Sequence, residues 1–307
     1  MNRKSLFRFL PAILLLLSLA CAAGCAGRHA PAASAGQQTE GVLLVAFGTS
    51  VPEAMPAMEA VDRDFRKAFP DAKILWAYTS QIIRKKLAEQ GKKTGGISEG
   101  LERLAKDGVK VVRVQSLHVM PGEEFSALER AVLLDVKAHP GRFDAVYLGR
   151  PLLESRADAE AVASAVLKDA GGARGRRDAV VLMAHGQEHG RAGLVFEGVR
   201  RVFTEKDGRV FMATVEGERG IDDLLGELKA RKVQNVRLQP LMLVAGDHAR
   251  NDLGGDDDDS WASRCRKNGM RTTVSLKGLG EVPGVNDVWI RHARESKDDL
   301  TKEPKKK

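Results

Sequence analysis

From residue 41 onward, short apolar segments alternate with longer segments whose apolar positions recur at helical spacing. The short segments predict strands at 41–48, 72–79, 109–118, 143–149, 178–184, 209–216, 235–244 and 271–276. The helical pattern occupies 53–69, 100–107, 126–139, 157–170 and 221–232. Such alternation is typical of parallel sheets, because each helix returns the chain to the start of the next strand. The chain is therefore predicted to be an α/β protein.

The eight predicted strands form two similar sets of four, which indicates an internal duplication. Residues 46–50 match 184–188 after the first strand of each set, and 119–124 match 243–248 after the third. Each half is therefore expected to fold as a four-stranded parallel sheet flanked by helices. Two similar lobes of this kind leave a cleft between them, which is the expected place for an active site.

The boundaries of these lobes follow from breaks in the pattern. We expect a first lobe over 41–174 and a second over 175–284, separated near a glycine-rich stretch. We expect residues 285–295 to form a C-terminal helix that packs on the first lobe. We expect residues 296–307 to form a disordered basic tail.

Residues 1–28 have the composition of an export signal, since basic residues precede an apolar run at 10–20 and small residues follow it. The run is shorter than the roughly 20 residues of a membrane-spanning helix. Cys25 follows small residues in a weak lipoprotein processing pattern, and Ala-x-Ala-type sites flank it. We expect a soluble periplasmic product in preference to a lipid-anchored one. If cleavage falls beyond Cys25, Cys265 stands alone and an internal disulfide is excluded.

The formal net charge of +8 does not indicate a nucleic-acid partner. Part of the positive charge lies in the leader and in the lysine-rich end of the chain, and aromatic residues make up 5% of the sequence. A basic face with interleaved aromatic residues, which nucleic-acid binding favours, is not evident. We therefore expect no nucleic-acid partner.

Three side chains that ligate metals occur where strands of the second half end. His185 closes the first strand, Glu216 the second, and His248 follows the third. The carboxyl ends of parallel strands share one edge of a sheet, about 4.8 Å apart, so these side chains are expected to converge. Two imidazoles and one carboxylate form a common ligand set for a divalent cation.

The motifs around these residues resemble a known family. They are His185-Gly-x-Glu-His189, Val215-Glu216-Gly and Leu243-Val-Ala-Gly-Asp-His248-Ala-x-Asn-Asp252, together with Gln115-Ser-Leu-His118 and Pro121-Gly-Glu-Glu124. The chain resembles the anaerobic sirohydrochlorin cobaltochelatases of the CbiK type from Gly41 to about Arg291. The resemblance implies a ferrochelatase-like fold with a sirohydrochlorin-type tetrapyrrole between two lobes. It also implies insertion of Co2+, or of Fe2+, as the substrate metal, with no organic cofactor.

The resemblance implies roles for individual residues. His185, Glu216 and His248 are expected to bind the metal and act in catalysis, with the histidines accepting pyrrole protons once the metal leaves. The expected substrate-binding residues are Phe47, Gly48, Thr49, Ser50, Tyr78, His118 and Glu123. Weaker candidates for the substrate's carboxylates are Arg84, Arg150, Arg191 and Arg250. His189 is a further candidate ligand, and the acidic run 256–259 favours a solvated loop over a metal funnel.

Several alternatives stay open from the sequence. A periplasmic protein that carries a metal or haem without turnover also suits a two-lobed α/β shape, and export favours it. The oligomeric state is not determined, and a homo-oligomer is compatible with the chain. An additional haem held by a histidine outside the cleft has no motif to support it.

Overall fold

The computed structural model describes residues 40–171, 175–187, 192–217 and 219–302, and within them lie two four-stranded parallel sheets. The first contains β1 (Glu40–Ala46), β2 (Lys73–Tyr78), β3 (Val111–Ser116) and β4 (Ala145–Gly149). The second contains β5 (Asp178–Gly186), β6 (Val210–Glu216), β7 (Asn235–Pro240) and β8 (Arg271–Val274). Both have the same order, β2-β1-β3-β4 and β6-β5-β7-β8. The predicted α/β fold with two similar lobes is confirmed.

Helices follow the strands and cover both faces of the sheets. Those of the first lobe are α1 (Met55–Ala68), α2 (Gln81–Glu89), α3 (Ile97–Lys106), α4 (Glu123–Ala138) and α5 (Arg156–Asp169). Then come α6 (Ala192–Lys206), α7 (Ile221–Ala230), α8 (Trp261–Lys267) and α9 (Asn286–Glu295). The sequence pattern did not predict α2, α6 and α8. All three lie between predicted elements.

The core consists of an outer layer on each sheet and a shared layer between the lobes. On β1, Leu43 and Val45 pack against α3 and α4, whereas Val42 and Leu44 point to the opposite face. That opposite face joins a continuous apolar layer to which α1, α5, α6, α9 and strand β5 contribute. The second sheet is covered on its other side by α7 and α8. This shared layer fixes the two lobes against each other, because close-packed cores resist sliding.

The C-terminal helix α9 packs on the first lobe, against β3, β4, α1 and α5. Arg113 on β3 donates to the carbonyl oxygen of Ala293 over 2.9 Å, and the Ser296 hydroxyl donates to Leu148 over 2.6 Å. The segment beyond α9 does not match the predicted disordered tail over its first part. Asp299 accepts a hydrogen bond from the Val146 amide, and Leu300 packs against the core beside β4. These contacts cover the exposed edge of β4, which explains why this segment is ordered.

Two titratable side chains away from the cleft, His292 and Cys265, are buried. His292, around which the sequence shows no motif, is 1% exposed on α9, because its helix packs against α5. Cys265 on α8 is a free buried thiol, and burial raises its pKa to about 11.

Among the described residues, the helices are too short or too polar to cross a membrane.

Candidate active site

A cleft of about 1120 Å³ opens at the carboxyl ends of the central strands of both lobes. Its walls come from the segments that follow β1, β3, β5, β6 and β7, and from the start of α6. In parallel sheets this edge collects loop residues and amide donors, which is why ligands bind there. The volume slightly exceeds the roughly 300–1,000 Å³ of typical small-molecule pockets. The cleft is therefore large enough for a macrocycle.

His185, Glu216 and His248 converge in this cleft. Their ligand atoms all lie within 4.8 Å of one another, and the two imidazole rings meet edge to face at a centroid distance of 4.8 Å. His185 Nδ1 lies 3.7 Å from Glu216 Oε2. About half of each of these two side chains is open to solvent. A cation held by three such groups keeps coordination positions free for water or for a second ligand.

The local backbone explains why His185 and Glu216 meet. Gly186 pairs with Glu216 in the parallel register of β5 and β6, and its φ is +83°. A Cβ at position 186 would overlap the carbonyl oxygen of Glu216. Glycine is therefore required at this point, both for the positive φ and for the close approach of the two strand ends.

His248 is oriented by a carboxylate on the following turn. Its Nδ1 lies 2.6 Å from Asp252 Oδ2, within the π-helical turn Ala249–Leu253. Because a carboxylate accepts hydrogen bonds, the Nδ1 atom carries the proton and Nε2 is left to face a cation. A π-helical turn is rare and is frequent at functional sites.

His118 faces the same cleft from the first lobe. Its Nδ1 lies 3.0 Å from the Ser116 hydroxyl, and its Nε2 has no hydrogen-bond partner among the described residues. Burial lowers the pKa of His118 to about 4, so the ring is neutral near pH 7. Glu124 Oε2 lies 4.0 Å from this Nε2 and accepts a hydrogen bond from Thr79.

The first strand-to-helix turn supplies the remaining predicted residues of the cleft. Phe47, Gly48, Thr49 and Ser50 all line it, and Phe47 is 49% exposed. The Thr49 side chain is buried, and its hydroxyl oxygen accepts a hydrogen bond from the Val51 amide. Thr49 therefore shapes the turn as well as lining the cleft.

Two predicted substrate-binding residues do not line the cleft. Tyr78 is 7% exposed and lies beneath Gly48, and burial raises its pKa. It is buried because β2 places it under the first turn. Glu123 is the first residue of α4, and its exposed side chain points away, whereas Glu124 lines the cleft. Successive helical side chains differ in direction by about 100°, so a shift of one residue changes which carboxylate faces inward.

Three of the four candidate arginines are described, and they lie outside the cleft lining. Arg84 pairs with Glu99, and Arg150 with Glu154 and Glu295. Neither these two nor Arg250 lines the cleft. Arg191 and His189 lie outside the described residues. The acidic run 256–259 is exposed between the π-helical turn and α8, away from the cleft lining.

Several cleft residues were not predicted from the sequence. Among the described lining residues, the charged ones besides Glu216 are Glu124, Glu197, Asp223, Asp247 and Arg219. Arg219 is turned to its own lobe, since it pairs with Glu227 and donates to the Met212 carbonyl oxygen. Leu194 is 80% exposed at the start of α6. The sequence contains no signal for Leu194, because its exposure becomes visible only once α6 is placed beside the cleft.

Comparison with known proteins relates this chain to a protein family. The model of the family Cobalt chelatase (CbiK) matches residues 40–298. The sirohydrochlorin cobaltochelatase CbiKC of Nitratidesulfovibrio vulgaris is 35% identical over 82% of this chain and 89% of its own. The sirohydrochlorin cobaltochelatase of Salmonella typhimurium is 34% identical over 83% of this chain and 95% of its own.

Solved structures share the fold. SirB from Bacillus subtilis with Fe3+ has a TM-score of 0.60 at 14% identity, over 84% of this chain and 95% of its own. The sirohydrochlorin chelatase SirB from Bacillus subtilis subspecies spizizenii in complex with cobalt has a TM-score of 0.54 at 16% identity, over 84% and 94%. At these identities the likeness concerns the fold alone. With the family model spanning both lobes and the cleft, the chain belongs to the CbiK cobalt chelatase family.

Proposed function

We propose that this protein inserts Co2+ into sirohydrochlorin, with His185, Glu216 and His248 as the metal-binding and catalytic residues. The observation that carries the assignment of residues is the convergence of two imidazoles and a carboxylate at an open cleft. The enzyme is a metal chelatase, as its family and its cobaltochelatase relatives indicate. Fe2+ is proposed as an alternative substrate metal, because this ligand set binds both ions and metal supply decides between them.

The reaction requires that a hydrated cation lose water and that two pyrrole protons leave the macrocycle. Each insertion of a divalent cation therefore releases two protons. His185 and His248 ligate the cation as neutral imidazoles, and Glu216 offsets part of its charge. Bound metal blocks these ligands from taking protons, so proton acceptance follows metal transfer. The hydrogen bond to Asp252 keeps the His248 ring in the same orientation through both steps.

The substrate is held by apolar walls and by donors at the first turn. Phe47 and Leu194 expose large apolar surfaces to the cleft, which suits the faces of a planar macrocycle. Gly48 and Ser50 lie at a strand end, where backbone amides and a hydroxyl are available for carboxylates. The neutral ring of His118 lines the cleft from the first lobe and forms part of the wall against the macrocycle.

The test is anaerobic insertion of Co2+ into sirohydrochlorin, followed by the absorption change of the macrocycle. The variant His185→Ala with His248→Ala is expected to lose at least about 100-fold in rate, the lower end of what positioned proton acceptors contribute. His139→Ala is the matched control, because His139 is exposed and lies away from the cleft. Equal rates in all three proteins would refute the assigned residues. Tight stoichiometric binding without turnover in the wild type would instead favour a carrier.

We also propose that the leader exports the protein to the periplasm as a soluble product. The support is the order of basic, apolar and small residues within 1–28. Cell fractionation should place the mature protein in the soluble periplasmic extract. Membrane association that Cys25→Ser abolishes would show a lipid anchor instead.

A further inference from the structure

A short turn, Gly278–Glu281, lies against the loop that carries His248. The chain passes through it after leaving β8 of the second sheet and before entering α9, which packs on the first lobe. The Leu279 amide donates to the Met242 carbonyl oxygen over 2.8 Å, and the Gly280 amide donates to Leu243 over 3.0 Å. Both acceptors precede His248 by only five or six residues. The turn therefore fixes the backbone of the metal-site loop directly.

The contact leaves no space for a side chain at Gly278. A Cβ there would lie 2.5 Å from the Leu243 carbonyl oxygen and 2.7 Å from Val244 Cα. Its neighbours in the crowded contact are backbone atoms, which cannot move aside as a flexible side chain can. Any larger residue must push the loop 243–245 away, and this loop leads into His248.

The other side of the turn is held by the first lobe. A Cβ at Gly280 would lie 2.6 Å from the Ala57 carbonyl oxygen on α1. Asn286 Nδ2 donates both to the Gly280 carbonyl oxygen, over 3.0 Å, and to Asp64 Oδ2 on α1, over 2.7 Å. The Gly278 amide is satisfied by Glu281 Oε1 over 3.0 Å. The turn is thus pinned between α1 and the His248 loop.

We infer that Gly278 is a positioning residue for the metal site, and that the turn Gly278–Glu281 sets the location of His248 relative to the first lobe. This inference rests on the proposed function, since it takes His248 as a metal ligand. His185 and Glu216 come from β5 and β6, which the turn does not touch through these hydrogen bonds. Displacing the loop therefore removes one ligand of three and leaves the other two in place.

The test measures binding of Co2+ alone, without tetrapyrrole, from its visible absorption spectrum. Gly278→Ala is expected to raise the Kd for Co2+ about 10- to 100-fold, as loss of an outer support of a ligand does. Gly226→Ala is the matched control, because Gly226 is exposed on α7 with no atom within 4 Å of an added Cβ. Its Kd and spectrum are expected to equal those of the wild type.

A double-mutant cycle separates positioning from general damage. If Gly278 acts through His248, then adding Gly278→Ala to His248→Ala has no further effect on the Kd, because the contact it supports is already gone. Additive losses would overturn the inference. Glu281→Ala serves as a second variant if Gly278→Ala fails to fold, since it loosens the turn without adding atoms. It should also weaken Co2+ binding, and an unchanged Kd would likewise overturn the inference.

The outcome is distinguishable from failure of the proposed function. A wild-type protein that does not bind Co2+ through His185, Glu216 and His248 refutes the proposed metal site. A wild type that binds Co2+ through them, together with an unaffected Gly278→Ala variant, refutes only the positioning role.

Discussion

At the scale of single residues, the two lobes present histidines that differ in their exposure to solvent. His248 is half exposed and oriented by Asp252, so it is accessible to a cation. His118 is buried, with its Nδ1 beside Ser116 and its Nε2 without a partner among the described residues. Burial disfavours the charged imidazole and outweighs the Glu124 carboxylate 4.0 Å away. The first lobe therefore contributes a buried ring to the cleft, whereas the second contributes the accessible candidate metal ligands.

The low pKa of His118 predicts a pH-dependent stability. In the unfolded chain the ring takes up a proton below its ordinary value of 6.5, whereas in the folded protein it does so only below about 4. The contribution of His118 to the free energy of unfolding should therefore fall as the pH decreases from about 6.5 to about 4, by up to ~3 kcal/mol, and should change no further below that pH.

Urea unfolding across this pH range checks the prediction. His118→Gln is expected to remove most of the slope that the wild type shows, and His139→Gln, at an exposed site, to retain it. A wild type and a His118→Gln variant with the same pH dependence would contradict the assignment.

At the scale of elements, α9 is attached to the first lobe by a buried ion pair. His292 Nε2 lies 3.0 Å from Asp158 Oδ1 on α5, and both side chains are fully buried. Burial works against the charged form of Asp158, yet hydrogen bonds from Ser155 and His292 hold its pKa below the ordinary value. The apolar periodicity of its sequence predicts α9 as a helix, and the contact between His292 and Asp158 helps to fix its position on the first lobe.

Removing one partner of this pair should be costly. His292→Ala leaves the buried Asp158 carboxylate with Arg291 and Ser155 as its remaining partners, and we expect a loss of about 1–3 kcal/mol in the free energy of unfolding. The comparison is His139→Ala, which should cost less than about 1 kcal/mol, because His139 is exposed and its buried neighbour Asp135 keeps its bond to Arg142. Urea unfolding of both variants measures the difference. Equal losses would show that the buried His292 contributes nothing beyond the exposed His139.

At the scale of the whole molecule, the cleft carries a net negative charge, which attracts the cation and repels the carboxylates of the macrocycle. The described lining carries five carboxylates, those of Glu124, Glu197, Glu216, Asp223 and Asp247, against the single guanidinium of Arg219. Focused negative potential in a cleft attracts divalent cations and repels polycarboxylates. Co2+ bound at the proposed site would reduce that repulsion.

Tetrapyrrole binding without metal should therefore strengthen with salt. Raising the ionic strength from about 20 mM to about 200 mM shortens the Debye length to below about 10 Å and screens the repulsion. The Kd for sirohydrochlorin, followed by fluorescence quenching, should decrease, and Glu197→Gln with Asp223→Asn should reduce this salt effect. A Kd that rises with salt in the wild type would show that attraction dominates.

Sequence periodicity was sufficient for the strands and for their shared edge. A parallel strand buried on both faces is apolar throughout, as β1 is from Gly41 to Ala46, and that signal is local. Because parallel strands end at the same edge, His185, Glu216 and His248 were expected to converge before any contact was known. Their ligand atoms do lie close together, and their role as metal ligands stays a prediction.

What the sequence determined by itself was therefore the α/β class, the duplication and the strand-end positions of the candidate ligands. Only the tertiary structure decided that Glu124 and not Glu123 faces the cleft, that Tyr78 lies beneath the first turn, and that Gly278 presses on the loop before His248. The periodicity of apolar residues shows which side of a helix or strand is apolar, because this property depends only on residues close together in the sequence. Burial and close backbone contact depend on which element packs against it, and that partner is distant in sequence.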